Sequence, residues 1–283
     1  YRREHRAEHL HEQDGESQGC LSGEERAVSY LDELYQLDGK IALVTGAGQG
    51  IGEAIALALM RCGATVILAG RTESKLVQVE RKAKEFGGNC AVRKMDIADP
   101  KEIDEGFAWI EKTYGRLDIL VNNAGVTIKG KAEELSLEDW QTVISTNLTG
   151  SFLCAQHAAN LMLPRGHGKI INVISTYAFV GRYLRVAYSA SKGGELQMTK
   201  TMAMEWASRG VNVNALAPTA TATPMTSVYE TDAQARAEME KKIPIGRLAT
   251  PEDMIGAALF LASSASDFVT GHAILVDGGF TAI

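Results

Sequence analysis

From Lys40 onward, short runs of apolar and β-branched residues alternate with longer stretches whose apolar positions recur at helical spacing. The runs at 41–45, 64–69, 90–95, 118–121, 169–174, 211–216 and 273–276 predict seven strands. The stretches at 51–60, 72–86 and 138–163 predict amphipathic helices between them. Strand–helix alternation of this kind predicts an α/β fold, with a seven-stranded parallel sheet covered by helices on both faces in one doubly wound domain. Residues 1–33 break the pattern. They are rich in Glu, Arg and His and read as a charged extension before a domain spanning 34–283. Val28, Leu31, Leu34 and Tyr35 fall near helical spacing, so the extension should end in a short helix packed on the domain or on a neighbour. His5 and His9 stand four apart with His11 nearby, but no cysteine or fixed carboxylate completes a ligand set, and no metal site is predicted.

The first strand runs directly into Thr45-Gly46-Ala47-Gly48-Gln49-Gly50-Ile51-Gly52. Glycines at 46, 50 and 52 allow a tight turn and a close backbone approach to a pyrophosphate. The helix that follows offers its unpaired N–H groups and positive dipole end to the phosphates. The second strand ends in Ala69-Gly70-Arg71. Near this point an acidic residue would suit a ribose 2′-hydroxyl, whereas an arginine suits a 2′-phosphate. Gly70 occupies the acidic place and Arg71 follows, which favours NADP(H) and leaves NAD(H) as the alternative. Gln49 adds no second positive charge to that preference.

Tyr188 and Lys192 stand four apart, one helical turn, with Ser175 thirteen residues upstream at the end of the fifth predicted strand. An ammonium about 4 Å from a phenol, at an effective dielectric near 20, favours the phenolate by about 4 kcal/mol. That is enough to let a tyrosine serve as both acid and base near neutrality. Ser175 can hold the substrate oxygen against Tyr188, at the strand edge where open α/β sheets bind ligands. With the glycine-rich turn, these residues point to a nicotinamide-dependent oxidoreductase.

These motifs, together with Asn122-Asn123-Ala124-Gly125, resemble the compact single-domain branch of the short-chain dehydrogenase/reductase family, from about Leu34 to the C-terminus. The resemblance implies a Rossmann-type fold interconverting a secondary alcohol and a ketone. It implies that Asn147 is a fourth catalytic residue, holding a water on the proton path from Lys192, and that Lys192 also bonds the nicotinamide ribose. It places Asp96 and Ile97 at the adenine ring, and Asn123, Ala124 and Gly125 near its ribose. Pro218, Thr219, Thr221 and Thr223 fall at the nicotinamide end. Thr219 departs from the family, which usually has glycine there, and so questions the local backbone geometry. The segments 34–40, 243–253 and 268–272 are similar to sugar-acid and polyol dehydrogenases of the gluconate 5-dehydrogenase type. The 3-oxoacyl-(acyl-carrier-protein) reductases share much of the pattern and form the alternative. A non-catalytic dinucleotide sensor is the alternative of another class, opposed by the presence of both Tyr188 and Lys192.

Composition narrows the partners. A net charge of −6 argues against nucleic acid, and no apolar run approaches the ~20 residues of a membrane span. Four scattered cysteines without C-x-x-C spacing read as free thiols of a cytoplasmic protein, and acidic residues between the N-terminal arginines argue against a transit peptide. Arg182 and Arg185 lie between Ser175 and Tyr188, and Lys129 and Lys131 follow the Asn-Asn-Ala-Gly motif. A basic mouth on an acidic protein would draw in an anionic small molecule, such as a sugar acid. Residues 224–247 read as a mobile cover that sets specificity, and the helices around 139–163 and 188–207 as the packing faces of a homodimer or homotetramer.

Overall fold

The computed structural model describes residues 30–282; His5, His9, His11, Cys20 and Val28 lie outside them. Seven strands form one parallel sheet: β1 (Ile41–Thr45), β2 (Thr65–Gly70), β3 (Cys90–Lys94), β4 (Ile119–Asn122), β5 (Gly168–Val173), β6 (Val211–Pro218) and β7 (Ala273–Val276). Their order is β3-β2-β1-β4-β5-β6-β7, and every neighbouring pair is parallel. All seven expected strands are present, β1 and β7 with the expected bounds and the others with ends shifted by at most two residues. Leu43 pairs with Ile67 of β2 on one side and Leu120 of β4 on the other. The chain therefore leaves β1 in opposite directions, and a crevice opens at the carboxyl ends of the strands, where ligands bind in such sheets.

The helices are α1 (Tyr30–Tyr35), α2 (Gly50–Arg61), α3 (Glu73–Lys84), α4 (Pro100–Tyr114), α5 (Leu137–Ile144), α6 (Ser151–Met162), α7 (Val186–Trp206), α8 (Val228–Thr231), α9 (Ala233–Glu240) and α10 (Ile255–Ala262). Because strand side chains alternate, Val44 and Leu68 join Ile55, Leu59, Leu76 and Leu261 in one core layer. Leu43 and Ile67 join Phe107, Ile110, Met162 and Met202 in the other. Fully burying each such side chain stabilises the fold by about 1.5–3 kcal/mol. Local chemistry marks the helix ends. Asp99 caps α4 by accepting from Lys101 N at 2.9 Å, Pro100 opens it, and Gly115 at φ 67° closes it.

One expectation is corrected. The stretch 138–163 is not a continuous α-helix: α5 passes through a π-helical segment, Ser145–Gly150, into α6. Gly150 ends that segment in a tight place, where a β-carbon would stand 2.3 Å from Ile97 O. The extra residue of the wider turn aims Asn147 into the interior. The short helix α1 lies beside Ser264, whose hydroxyl donates to Leu34 O at 3.0 Å, but Tyr30 and Leu31 are exposed.

Candidate active site

A cavity of about 890 Å³ occupies the crevice. Gly46 and Gly50, at φ 66° and 59°, carry its floor through backbone conformations that side chains resist. Gln49, Ile51, Arg71, Asp96, Ile97, Asn123, Ala124 and Gly125 border it. Gly52 does not; it lies behind the turn, where a β-carbon would sit 2.4 Å from Gly46 O and 2.3 Å from Asn123 Nδ2. It packs closely there, and its N–H lies in the first turn of α2. Asn123 secures the turn by donating to Thr45 O at 3.0 Å and Gly46 O at 3.2 Å. No side chain caps the start of α2, so its first N–H groups remain available to an anion. Lys75 donates to Gln49 Oε1 at 2.5 Å and borders the cavity with Arg71. The second positive charge that Gln49 does not supply thus arrives from α3, beyond the reach of motif spacing.

Ser175 follows β5, its Oγ accepting from Tyr177 N at 3.2 Å as the cap of a single 3₁₀ turn, Thr176–Ala178. The chain returns through α7, whose first turn presents Tyr188 and whose second presents Lys192 to the same cavity. Lys192 is buried and donates to Val173 O at 2.9 Å, with Nζ 5.9 Å from the Tyr188 ring centre. Asn147 is fully buried behind this wall rather than on it. Its Oδ1 accepts from Val126 N at 2.8 Å, and its Nδ2 donates to Val126 O and Ser191 Oγ at 3.0 Å each. Ser191 Oγ in turn donates to Tyr188 O at 2.8 Å. A β-carbon on Gly125 would stand 3.3 Å from Asn147 Oδ1 and 3.8 Å from Lys192 Nζ, which measures how tightly these groups converge. Glu195, overlooked in the sequence, places Oε2 2.5 Å from Lys192 Nζ. Its signal was available as an i,i+3 pair on α7.

Pro218, Thr219, Thr221 and Thr223 border the opposite wall. Thr219 has no positive φ, so the glycine it replaces is not required for the backbone here. Its carbonyl accepts from Thr221 Oγ1 at 2.9 Å, while its own buried Oγ1 has no hydrogen-bond partner among the described residues. At the rim, Lys129, Arg182 and Arg185 border the cavity together with Tyr177, Tyr229 and Lys242. Burial pushes the Arg185 guanidinium below its usual value, and its Nη1 has no hydrogen-bond partner among the described residues. Arg182 lies 5.9 Å over the Tyr177 ring. Leu184, the non-glycine residue at φ 60°, accepts from Gly130 N at 3.3 Å and so ties the loop of Arg185 to that of Lys129. Lys131 is drawn away, paired with Glu134 at 2.6 Å outside the cavity. Residues 224–247 are not one loop; a 3₁₀ turn (Pro224–Thr226), α8 and α9 cover the opening.

A family model described as enoyl-(acyl carrier protein) reductase matches residues 46–281. The chain belongs to the short-chain dehydrogenase/reductase family. It is 42% identical over 253 residues to 2-dehydro-3-deoxy-D-gluconate 5-dehydrogenase of Bacillus subtilis (strain 168), covering 89% of this chain and 99% of that protein. It is 39% identical to gluconate 5-dehydrogenase of Gluconobacter oxydans (strain 621H), covering 88% and 97%. Its fold matches the crystal structure of gluconate 5-dehydrogenase from Burkholderia cenocepacia J2315, in complex with NADP and tartrate, with a TM-score of 0.86. That structure is 36% identical and covers 90% of this chain and all of that one. This short-chain dehydrogenase/reductase is an NAD(P)-dependent oxidoreductase acting on CH–OH groups. Its cavity fits a dinucleotide by its own features: the glycine cradle, the uncapped helix start, the cationic pair Arg71 and Lys75, and the unpartnered Thr219 hydroxyl. No helix among the described residues is long and apolar enough to cross a membrane.

Proposed function

We propose that the chain interconverts a secondary alcohol of a sugar acid and the corresponding ketone, with NADP(H) as coenzyme. The observation that carries this reading is the single cavity bordered by Tyr188 and Lys192 on one side, by Arg71 and Lys75 at one end, and by Arg185 at the rim. When bound, the nicotinamide supplies or accepts the hydride. The protein's own residues place the carbonyl and move the proton. Ser175 Oγ donates to the substrate oxygen, and the Tyr188 hydroxyl gives it a proton in reduction or takes one in oxidation. The Lys192 ammonium stabilises the phenolate left behind. Asn147 braces Tyr188 through Ser191 and organises a water that returns the proton to solvent. Arg71 and Lys75 hold the 2′-phosphate, Gly46 to Ile51 the pyrophosphate, and Asp96 and Ile97 the adenine. Thr221 and Thr223 would hold the carboxamide, with the unpartnered Thr219 hydroxyl beside them.

An acidic substrate fits Arg185, whose buried Nη1 has no acceptor among the described residues, with Arg182 acting on it and Lys129 and Lys242 bordering the same cavity. A carboxylate supplies a charged acceptor there, whereas a polyol hydroxyl supplies only a weaker, neutral one. The sugar-acid names of the relatives support the same class. Turnover of sugar acids, polyols and 3-oxo thioesters with NADPH and NADH tests the reading. Activity on sugar acids that disappears in Tyr188→Phe is expected; activity on thioesters alone would favour the acyl-carrier reading. Arg185→Ala should raise KM for the acid about 10- to 100-fold, the loss of one charge-assisted bond, and leave KM for a polyol nearly unchanged. The exposed Leu137, Phe152 and Met204 on α5, α6 and α7 support assembly as a homo-oligomer, which light scattering tests. The free thiols Cys62, Cys90 and Cys154 support a cytoplasmic location.

A further inference from the structure

Glu195 is a carboxylate with no exposed surface, one turn beyond Lys192 on α7, and it does not reach the cavity. Burying a carboxylate costs several kcal/mol, and a well-packed apolar side chain would serve stability as well or better. The ion partner it meets is Lys192, itself 4% exposed at the side chain. Neither carboxylate oxygen of Glu195, nor the Ser151 hydroxyl on α6, has a hydrogen-bond partner among the described residues, so the close ion contact with Lys192 is what meets the buried charge. Asn147 of the π-helical turn lies nearby as a neutral group, and β5 contributes a carbonyl, Val173 O, to Lys192. Among the described residues, Tyr188 is the other titratable group acting on Lys192.

We propose that Glu195 is a positioning residue for Lys192: it keeps the lysine charged inside a desolvated site and holds it beside Tyr188. It thereby sets the upper pH at which the site still works. That role rests on the acid–base reading of Tyr188 and Lys192 proposed above. Two opposing effects act on the ammonium. Burial favours loss of its proton, and the carboxylate 2.5 Å away more than reverses this, holding Lys192 above the ordinary lysine value. Burial also raises the Glu195 carboxyl, with Lys192 opposing the rise. Without the carboxylate, desolvation would govern Lys192, and an ammonium so buried loses its proton at far lower pH. Neutral Lys192 neither stabilises a phenolate nor carries its full set of donors.

The test compares the wild type with Glu195→Gln, an isosteric neutral variant, and Glu195→Asp, which retains the charge. kcat/KM for alcohol oxidation is followed from about pH 6 to 11, the span over which lysine and phenol titrate. In Glu195→Gln the alkaline loss of activity should begin at least about one pH unit lower, and Glu195→Asp should recover most of that difference. A purely structural role would lower the unfolding midpoint without moving the limb, and coincident wild-type and Gln profiles would overturn the proposal. Nitrogen-15 NMR of the wild-type lysines, without coenzyme, supplies a readout independent of activity and of variant folding. Lys192 should remain an ammonium beyond about pH 10, and loss of its proton below about pH 9 would overturn the proposal. The two readings separate in Tyr188→Phe. Full turnover there removes the acid–base assignment, whereas an unshifted Gln profile removes the role of Glu195 alone.

Discussion

A β-carbon on Gly52 would meet Gly46 O at 2.4 Å; the carbonyl is backbone and a β-carbon is fixed to its Cα, so neither can rotate away. Gly52→Ala is expected to cost about 1–3 kcal/mol of stability, the usual range for overpacking, and to weaken dinucleotide binding in titration calorimetry. Arg71 acts differently, through charge. Arg71→Ala should raise KM for NADPH about 10- to 100-fold and leave KM for NADH within about threefold, since the 2′-phosphate alone distinguishes the two. Lys192 and Glu195 make a sharper case. Lys192→Met strands a buried carboxyl whose folded-state pKa is already raised. A raised folded pKa contributes stability that is fully present below the unfolded value, about 4.3, and is lost as pH rises through the folded value. The variant should therefore approach wild-type stability near pH 4 and fall short by about 3–5 kcal/mol near pH 8. Thermal unfolding across that range checks the sign.

Among elements, the π-helical segment between α5 and α6 decides where Asn147 points. Its apolar positions continue the spacing of both flanking helices, so periodicity predicts an unbroken helix over 138–163. Gly150 at its end packs where a β-carbon would meet Ile97 O, a neighbour far away in sequence that local periodicity does not reveal. Asn147→Ala removes three side-chain hydrogen bonds and leaves both Val126 N and O without their partner. Each orphaned buried group costs about 1–3 kcal/mol, so a lower unfolding midpoint should accompany the loss of kcat. The strands behaved otherwise. Their β-branched runs, bounded by polar turns, mark seven short segments that pair in parallel register as expected. Where helices are short, as in α8 and α9, the segment 224–247 shows little periodicity, so its place over the cavity was legible but its helices were not.

For the whole molecule, a net charge of −6 coexists with four cations around one cavity rim, Lys129, Arg182, Arg185 and Lys242. Attraction of an anionic substrate to that rim is screened by salt. KM for a sugar acid should rise between about 0.01 and 0.2 M ionic strength, where the Debye length shortens from about 30 to 7 Å, and KM for a polyol should stay flat. Steady-state kinetics at constant pH measure both. Local chemistry determines the strand–helix alternation, the glycine turn and the Tyr188–Lys192 spacing, because each depends on residues within a few positions of one another. Arg71 and the rim arginines were legible for the same reason: they adjoin a motif. Only the tertiary structure could bring Lys75 to Gln49, Lys242 to the cavity that Arg185 borders, and Asn147 through Ser191 to Tyr188. Only burial could make Glu195 and Lys192 a desolvated pair rather than an ordinary surface pair, since the dielectric around a charge is set by everything packed against it.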